Sequence, residues 1–262
     1  MSTTTSSPKS TRRTSSDDLM VIDHVNKVFA ARGKAESAQA LKDVTCTIQK
    51  GAMNIITGPS GSGKSTLLDT ILGLQPPTSG KVLVSGEDIY SLSSDDRAFY
   101  RARMLGMVYQ ANYWVRSLNV LENVALPLYL SGYTRAQSKL LAEMSLESVG
   151  MTEFASYMPT YLSGGQQQRV SMARALVANP EVVVADEPTG NLDTRNGSLI
   201  MDLLVDCVKA QNKTVVLVTH NLEYLPLADK ILYIKDGQLS ENMTVAQVMA
   251  SLGPVLKAGA KS

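Results

Sequence analysis

Met53-Asn-Ile-Ile-Thr57-Gly58-Pro-Ser-Gly-Ser-Gly-Lys64-Ser65-Thr66 is an apolar strand that runs straight into a glycine-rich turn and then into a helix. The helix is expected from Lys64 to about Gly73, ahead of Pro76-Pro77. The turn fits the spacing G-x-x-x-x-G-K-[ST], and a strand before it with a helix behind it is the context that gives this spacing meaning. Its glycines let the backbone curl until N–H groups point inward, and the helix adds the positive end of its dipole. Such a turn is a nest for phosphate oxygens, formed by Gly58, Ser60, Gly61, Ser62 and Gly63. In it Lys64 is expected to reach the β- and γ-phosphates of a nucleotide, Ser65 to hold Mg²⁺ and Thr66 to touch the α-phosphate.

Working outward, Val21–Phe29 and Val44–Ile48 alternate roughly with period two, as half-buried antiparallel strands do. On the other side, helical patterning dominates from about Val120 to Ala178, broken at Gly132, Gly150 and Ser163-Gly164-Gly165. Two β-branched runs follow, Val182–Ala185 and Thr214–Thr219, flanking a helix near Gly197–Ala210. Apolar on both faces, such runs suit a parallel sheet. Asp236-Gly237 supplies a tight turn between Ile231–Lys235 and the strand from Gln238, and a short helix is expected near Val245–Leu252. The expected fold is therefore α/β: a parallel core sheet, an N-terminal antiparallel β layer and a helical subdomain at about 111–178. Residues 1–19, nearly all Ser, Thr, Pro, Lys, Arg and Asp, are expected to be a disordered tail. The main domain is then 20–242, with a short helix and tail over 243–262.

Two further strings carry chemistry. Val182-Val-Val-Ala-Asp186-Glu187 is an apolar strand ending in two acids. Asp186 is placed for the Mg²⁺ shell, and Glu187, one residue on, for the attacking water as general base. Leu162-Ser163-Gly164-Gly165-Gln166 opens a helix with a capping-box pattern, which makes a second helix N-terminus suited to phosphate. One chain has little use for two phosphate nests around one nucleotide. A head-to-tail dimer does, if each Ser163 turn closes over the γ-phosphate held by the other chain.

With these motifs in this order, the chain resembles the ATP-binding-cassette (ABC) ATPases over about residues 20–240. The strings are Gly58–Thr66, Gln110 in Val-Tyr-Gln, Leu162–Gln166, Asp186-Glu187, Asn191-Leu192-Asp193 and His220 in Val-Thr-His. The resemblance implies a P-loop NTPase of RecA-like core, ATP and Mg²⁺ as its ligands, and ATP hydrolysis. It implies that Gln110 senses Mg²⁺ and the water, that His220 contacts the γ-phosphate, and that Asp193 works across a dimer interface. Phe29 looks like the aromatic platform for adenine, with a place in the core as the alternative. His24 reads as structural.

Leu118–Leu128, Leu162–Arg169 and Ala185–Asp193 are similar to the macrolide-export, lipoprotein-release and antimicrobial-peptide-resistance branch and its cell-division relative. That branch implies a permease partner with a large extracytoplasmic domain, either driven in export or release, or signalled through without transport. A homodimer is the expected assembly, with a heterodimer as the alternative. Trp114 stands where the branch usually has a small aliphatic residue. With Leu118, Pro127 and Tyr129 it lines either a groove for the permease or the core. Soluble ABC proteins of translation or DNA repair fit poorly, since the chain has one cassette and no heptads between Lys64 and Ser163.

Composition agrees with this reading. The 262 residues are 44% hydrophobic and 19% charged with a net charge of +1, which argues against nucleic acid as partner. Cys46 and Cys207 match no metal or redox spacing and read as free thiols. No apolar run approaches the roughly 18 residues of a membrane span, and the N-terminus has no apolar signal core. The expectation is a protein on the cytoplasmic face of a membrane, held there through its permease without inserting itself.

Overall fold

The computed structural model describes residues 17–30, 37–241 and 243–251. Its first two strands, β1 (Asp18–Phe29) and β2 (Ala38–Gln49), pair antiparallel. β4 (Ser79–Val84) lies on the other side of β1, and the two-residue β5 (Glu87–Asp88) beyond it completes a four-stranded layer. β1 starts inside the segment expected to be tail: Asp18 pairs with Gln49, and Leu19 is buried. Leu19 and Met20 bring apolar surface to hide, and that ends the polar run. The remainder of the expected tail, 1–16, lies outside the described residues, as do residues 252–262 of the second tail.

The core sheet has the order β10-β9-β3-β8-β7-β6. It is built from β3 (Met53–Thr57), β6 (Leu105–Tyr109), β7 (Val182–Asp186), β8 (Thr214–Val218) and β9 (Lys230–Lys235), all parallel. β10 (Gln238–Glu241) runs antiparallel along the outer edge of β9. Alternation divides the apolar side chains between two cores. Ile55, Val183, Val215 and Leu217 face a core shared with the helices, while Ile56, Val182, Val184, Val216 and Val218 face the antiparallel layer. The helix α1 (Lys64–Ile71) packs into that second core through Leu67, Leu68 and Ile71.

α2 (Ser94–Met104), for which the sequence supplied no expectation, buries none of its residues and leads into the edge strand β6. The helical subdomain consists of α3 (Val120–Leu130), α4 (Arg135–Ser148) and α5 (Gly164–Leu176). Each opens on a complete capping box: Asn119/Glu122, Thr134/Gln137 and Ser163/Gln166. α6 (Thr194–Lys209) is capped by Asp193, and a short helix at 245–251 buries Val248 against the first core. Both cysteines are free and buried. Among the described residues no helix is long and apolar enough to cross a membrane.

Parallel pairing decides where the chemistry lies. Tyr109 pairs with Asp186, Asp186 with Val218 and Val218 with Ile56, so four strands end at one edge. The residues that follow them, Gly58, Gln110, Glu187 and His220, emerge together there, as ligand-binding segments of open α/β sheets do.

Candidate active site

The turn after β3 is shaped by two glycines. Gly58 has φ +152°, and a Cβ there would lie 1.9 Å from the Ile234 carbonyl oxygen; Gly63 has φ +109°, and a Cβ would lie 2.6 Å from the Ala40 oxygen. Only glycine fits either place. The Gly237 N–H donates to the Ser62 carbonyl (2.9 Å), and the Lys42 N–H to the Gly237 carbonyl (2.8 Å), so the closing hairpin braces the turn from below. No side chain caps α1, which leaves its first-turn N–H groups facing the cleft without a cap. Lys64 Nζ donates to the Gly58 (2.9 Å) and Pro59 (2.8 Å) carbonyls of its own loop.

The cleft, about 340 Å³, has Ser60, Gly61 and Gly63–Thr66 on one wall and Asp186 and Glu187 on the other. Burial pushes the Lys64 ammonium down, opposed by Glu187 and Asp186. Burial pushes the Asp186 carboxyl up, helped by the charges of Glu187 and Asp69 and opposed by Lys64. The cleft is an acidic wall facing a basic one, each desolvated enough to favour a ligand that brings both a cation and an anion.

Glu187 stands at φ +47°, an unusual region for a side chain of its size. Val218 holds it there by accepting its N–H (2.9 Å). One carboxylate oxygen, Oε1, accepts from the backbone N–H of His220 (3.0 Å) and lies 2.7 Å from His220 Nδ1. A carboxylate only accepts, so this pairing puts the ring proton on Nδ1 and leaves Nε2 for another partner. Gln110 approaches the same turn, for a Cβ at Gly190 would lie 2.9 Å from its Nε2. Phe29, at the end of β1 opposite Ala38, is 41% exposed and belongs to neither core, with Lys27 Nζ 5.3 Å from its ring centroid. It is not a core aromatic.

The second motif sits apart. None of Ser163, Gly164, Gly165 or Gln166 lines the cleft. The Ser163 hydroxyl accepts from the Gln166 N–H (3.3 Å), and the Gln166 side chain accepts from the Ser163 N–H (2.8 Å). Gly165 is needed for contact: a Cβ there would lie 2.3 Å from Asn196 Oδ1. Asn196 in turn donates to both carboxylate oxygens of Asp193, through its N–H (2.8 Å) and its amide (2.7 Å). Those two hydrogen bonds hold the exposed Asp193 carboxyl below the usual range. Within one chain Asp193 is thus a helix cap tied to the Ser163 turn through Asn196. Asn196 gave no signal of its own in the sequence; the glycine at 165 was the one trace of it.

An apolar groove of about 360 Å³ opens beside β6, lined by Met107, Tyr109, Tyr113, Leu126, Pro127 and Leu130. Of the four residues expected to line a groove, Pro127 does so, whereas Trp114, Leu118 and Tyr129 do not. Trp114 packs against the first core, and its indole N–H is drawn inward to Gln167 (2.8 Å).

A glycine turn after β3, two acids at the end of β7 across the intervening β8, and a capped Gly-Gly helix start now stand in one frame. The sequence profile of the family described as ABC transporter matches residues 41–190. The chain belongs to the ABC transporter family. Its catalytic activity is that of the ABC ATPases. The chain is 40% identical over 225 residues to the lipoprotein-releasing system ATP-binding protein LolD of Pseudoalteromonas translucida, covering 86% of this chain and 96% of the relative. It is also 40% identical over 215 residues to an uncharacterized ABC transporter ATP-binding protein of Methanocaldococcus jannaschii, covering 82% and 96%. Among solved structures, the dimeric ABC transporter cassette MJ0796 matches with a TM-score of 0.78 at 37% identity, covering 84% of this chain and 96% of that one. A post-hydrolysis state of the same cassette, bound to ADP and Pi, matches with the same score and covers 85% and 97%.

Proposed function

We propose that two copies of this ABC ATPase close head to tail over two ATP molecules and so drive a membrane permease of the lipoprotein-release type. The observation that carries this reading is the separation of the two phosphate-binding motifs. Gly58–Thr66 forms a cleft with Asp186 and Glu187, while the Ser163 turn lies outside it with Ser163 and Gly164 exposed at a helix N-terminus. The relatives named LolD favour the lipoprotein-release branch, and the dimeric cassette favours the homodimer.

In this reading the phosphates lie against Gly58–Gly63 and the start of α1, with Lys64 exchanging its loop carbonyls for phosphate oxygens. Phe29 stacks on adenine. Ser65 and Asp186 share the cleft, and one hydroxyl with one carboxylate suits a hard cation that keeps water and phosphate in its remaining positions. They would hold Mg²⁺, with Gln110 near them; the ion, when bound with ATP, neutralises charge on the β- and γ-phosphates. Glu187 takes a proton from the attacking water on Oε2, since His220 already occupies Oε1. His220 keeps that carboxylate aimed and offers Nε2 toward the γ-phosphate. Ser163–Gln166 and Asp193 of the second copy complete the site. The protein then works on the cytoplasmic face of the membrane, attached through the permease, whose cytoplasmic segment sits in the groove of Tyr113, Pro127 and Leu130.

The test is to solubilise native membranes in detergent, capture tagged Glu187→Gln protein with MgATP, and identify what accompanies it. The variant should hydrolyse ATP about a thousandfold more slowly while keeping its affinity, the loss typical of a missing general base. A captured integral membrane protein with a large outer domain supports the reading. Ribosomes or DNA-bound proteins in its place would remove the permease.

A further inference from the structure

The segment after Gln110 is fastened to α5 by side chains, and its fastenings form a chain of contacts. Gln168 Nε2 donates to the Tyr109 carbonyl (3.0 Å), while Arg174 donates to the carbonyls of Asn112 (2.7 Å) and Tyr113 (3.2 Å). The Arg174 guanidinium lies 4.6 Å from the centre of the Trp114 ring. The Trp114 indole N–H donates to Gln167 Oε1 (2.8 Å), and Gln167 Nε2 donates to the Leu162 carbonyl (3.0 Å), one residue before Ser163. One amide side chain therefore joins the Trp114 indole to the backbone of the turn that carries Ser163. At the other end Asn123 of α3 fixes Val115 by both its N–H (3.0 Å) and its carbonyl (3.2 Å).

We infer that Trp114 and Gln167 are positioning residues for ATP hydrolysis: their hydrogen bond fixes the Ser163 turn relative to Gln110, so that the two reach their two ATP sites in register. Neither residue lines the phosphate cleft, so neither touches nucleotide in its own chain. Trp114 has a ring large enough to cross from the 110–115 segment to α5 and an N–H at the far end of it. Tyr113 gives the segment an outer handle. It is 72% exposed, it lines the apolar groove, and its ring meets Tyr109 edge-on at 5.4 Å. The inference rests on the shared-site reading above, because a Ser163 turn that never meets ATP has no position to lose.

The experiment is a double-mutant cycle on the full chain. Trp114→Phe keeps a ring for Arg174 and removes the N–H; Gln167→Leu removes the acceptor and the Leu162 arm. Each is expected to lower kcat about fivefold, the equivalent of one hydrogen bond, with KM for ATP changed less than about twofold because the nucleotide wall is untouched. The double variant should be no slower than the slower single, since both remove one interaction. Trp114 is the only tryptophan in the chain, so its emission reports the contact directly and should change in Gln167→Leu without nucleotide. Unchanged kcat in Trp114→Phe, additive losses in the double variant, or losses that simply track falling thermal stability would each overturn the inference. The shared-site reading is judged separately in the same assay, by whether Ser163→Arg lowers turnover about a hundredfold.

Discussion

The chain carries two helix N-termini suited to phosphate, and they are finished in opposite ways. At α1 the start is Gly63 with no capping side chain, a lysine curled onto its own loop and an acidic wall opposite. At α5 the start is Ser163, whose hydroxyl and N–H are both taken by Gln166. The first is left wanting a ligand and sits in a cleft that can receive one. The second is satisfied as it stands and needs only a surface to meet. Binding and closure are thus separable functions of one chain, and substitutions should divide along the same line.

Ser163→Arg makes the sharpest break. It is expected to leave ATP affinity of the monomer unaltered and to reduce turnover about a hundredfold, the cost of a displaced catalytic element. Nucleotide titration beside a turnover assay checks both halves, and unaltered turnover would mean that the Ser163 turn has no part in the site. Lys64→Ala is the converse: nucleotide titration should show affinity about 10- to 100-fold weaker, the loss of a charge-assisted contact. Gly165→Ala probes the seam between the two, where a Cβ would lie 2.3 Å from Asn196 Oδ1. Overpacking of this kind should lower Tm by about 5 °C, read by calorimetry, with nucleotide affinity spared.

The smallest effect concerns charge. Burial, Glu187 and Asp69 push the Asp186 carboxyl up. A carboxylate whose folded pKa lies above its unfolded one costs stability when ionised, a cost present above the folded pKa and relieved as pH falls through it. Thermal scans of the nucleotide-free chain should show Asp186→Asn slightly more stable than wild type at neutral pH. The gap should close as the medium becomes mildly acidic, and turnover should be lost at every pH.

Much of this was legible in the sequence, and the reason differs by region. The core strands announced themselves because burial on both faces demands unbroken apolar runs such as Val182–Ala185. Gly58–Ser65 was legible because a turn that leaves no room for a Cβ at Gly58 and Gly63 admits few residue types. α2 was silent, since a helix with no buried residue has no apolar stripe to betray its period. Trp114 was seen as unusual, with a groove and the core both open to it, and it packs against the core. A large aromatic signals burial or contact, and only the fold brings Gln167, 53 positions away, to its N–H. Asn196 was invisible because a polar residue near a helix start has many ordinary uses.

The brace beneath the phosphate turn bears on how the protein is made. Ile234 and Gly237 pack against Gly58 and Ser62, which were laid down long before them. During synthesis the Gly58–Ser65 turn leaves the ribosome without the strand and hairpin that shape it, and waits for them through the whole helical subdomain. The turn's shape therefore arrives late, and a nascent chain interrupted before the final hairpin carries every recognisable motif without the brace beneath the first of them.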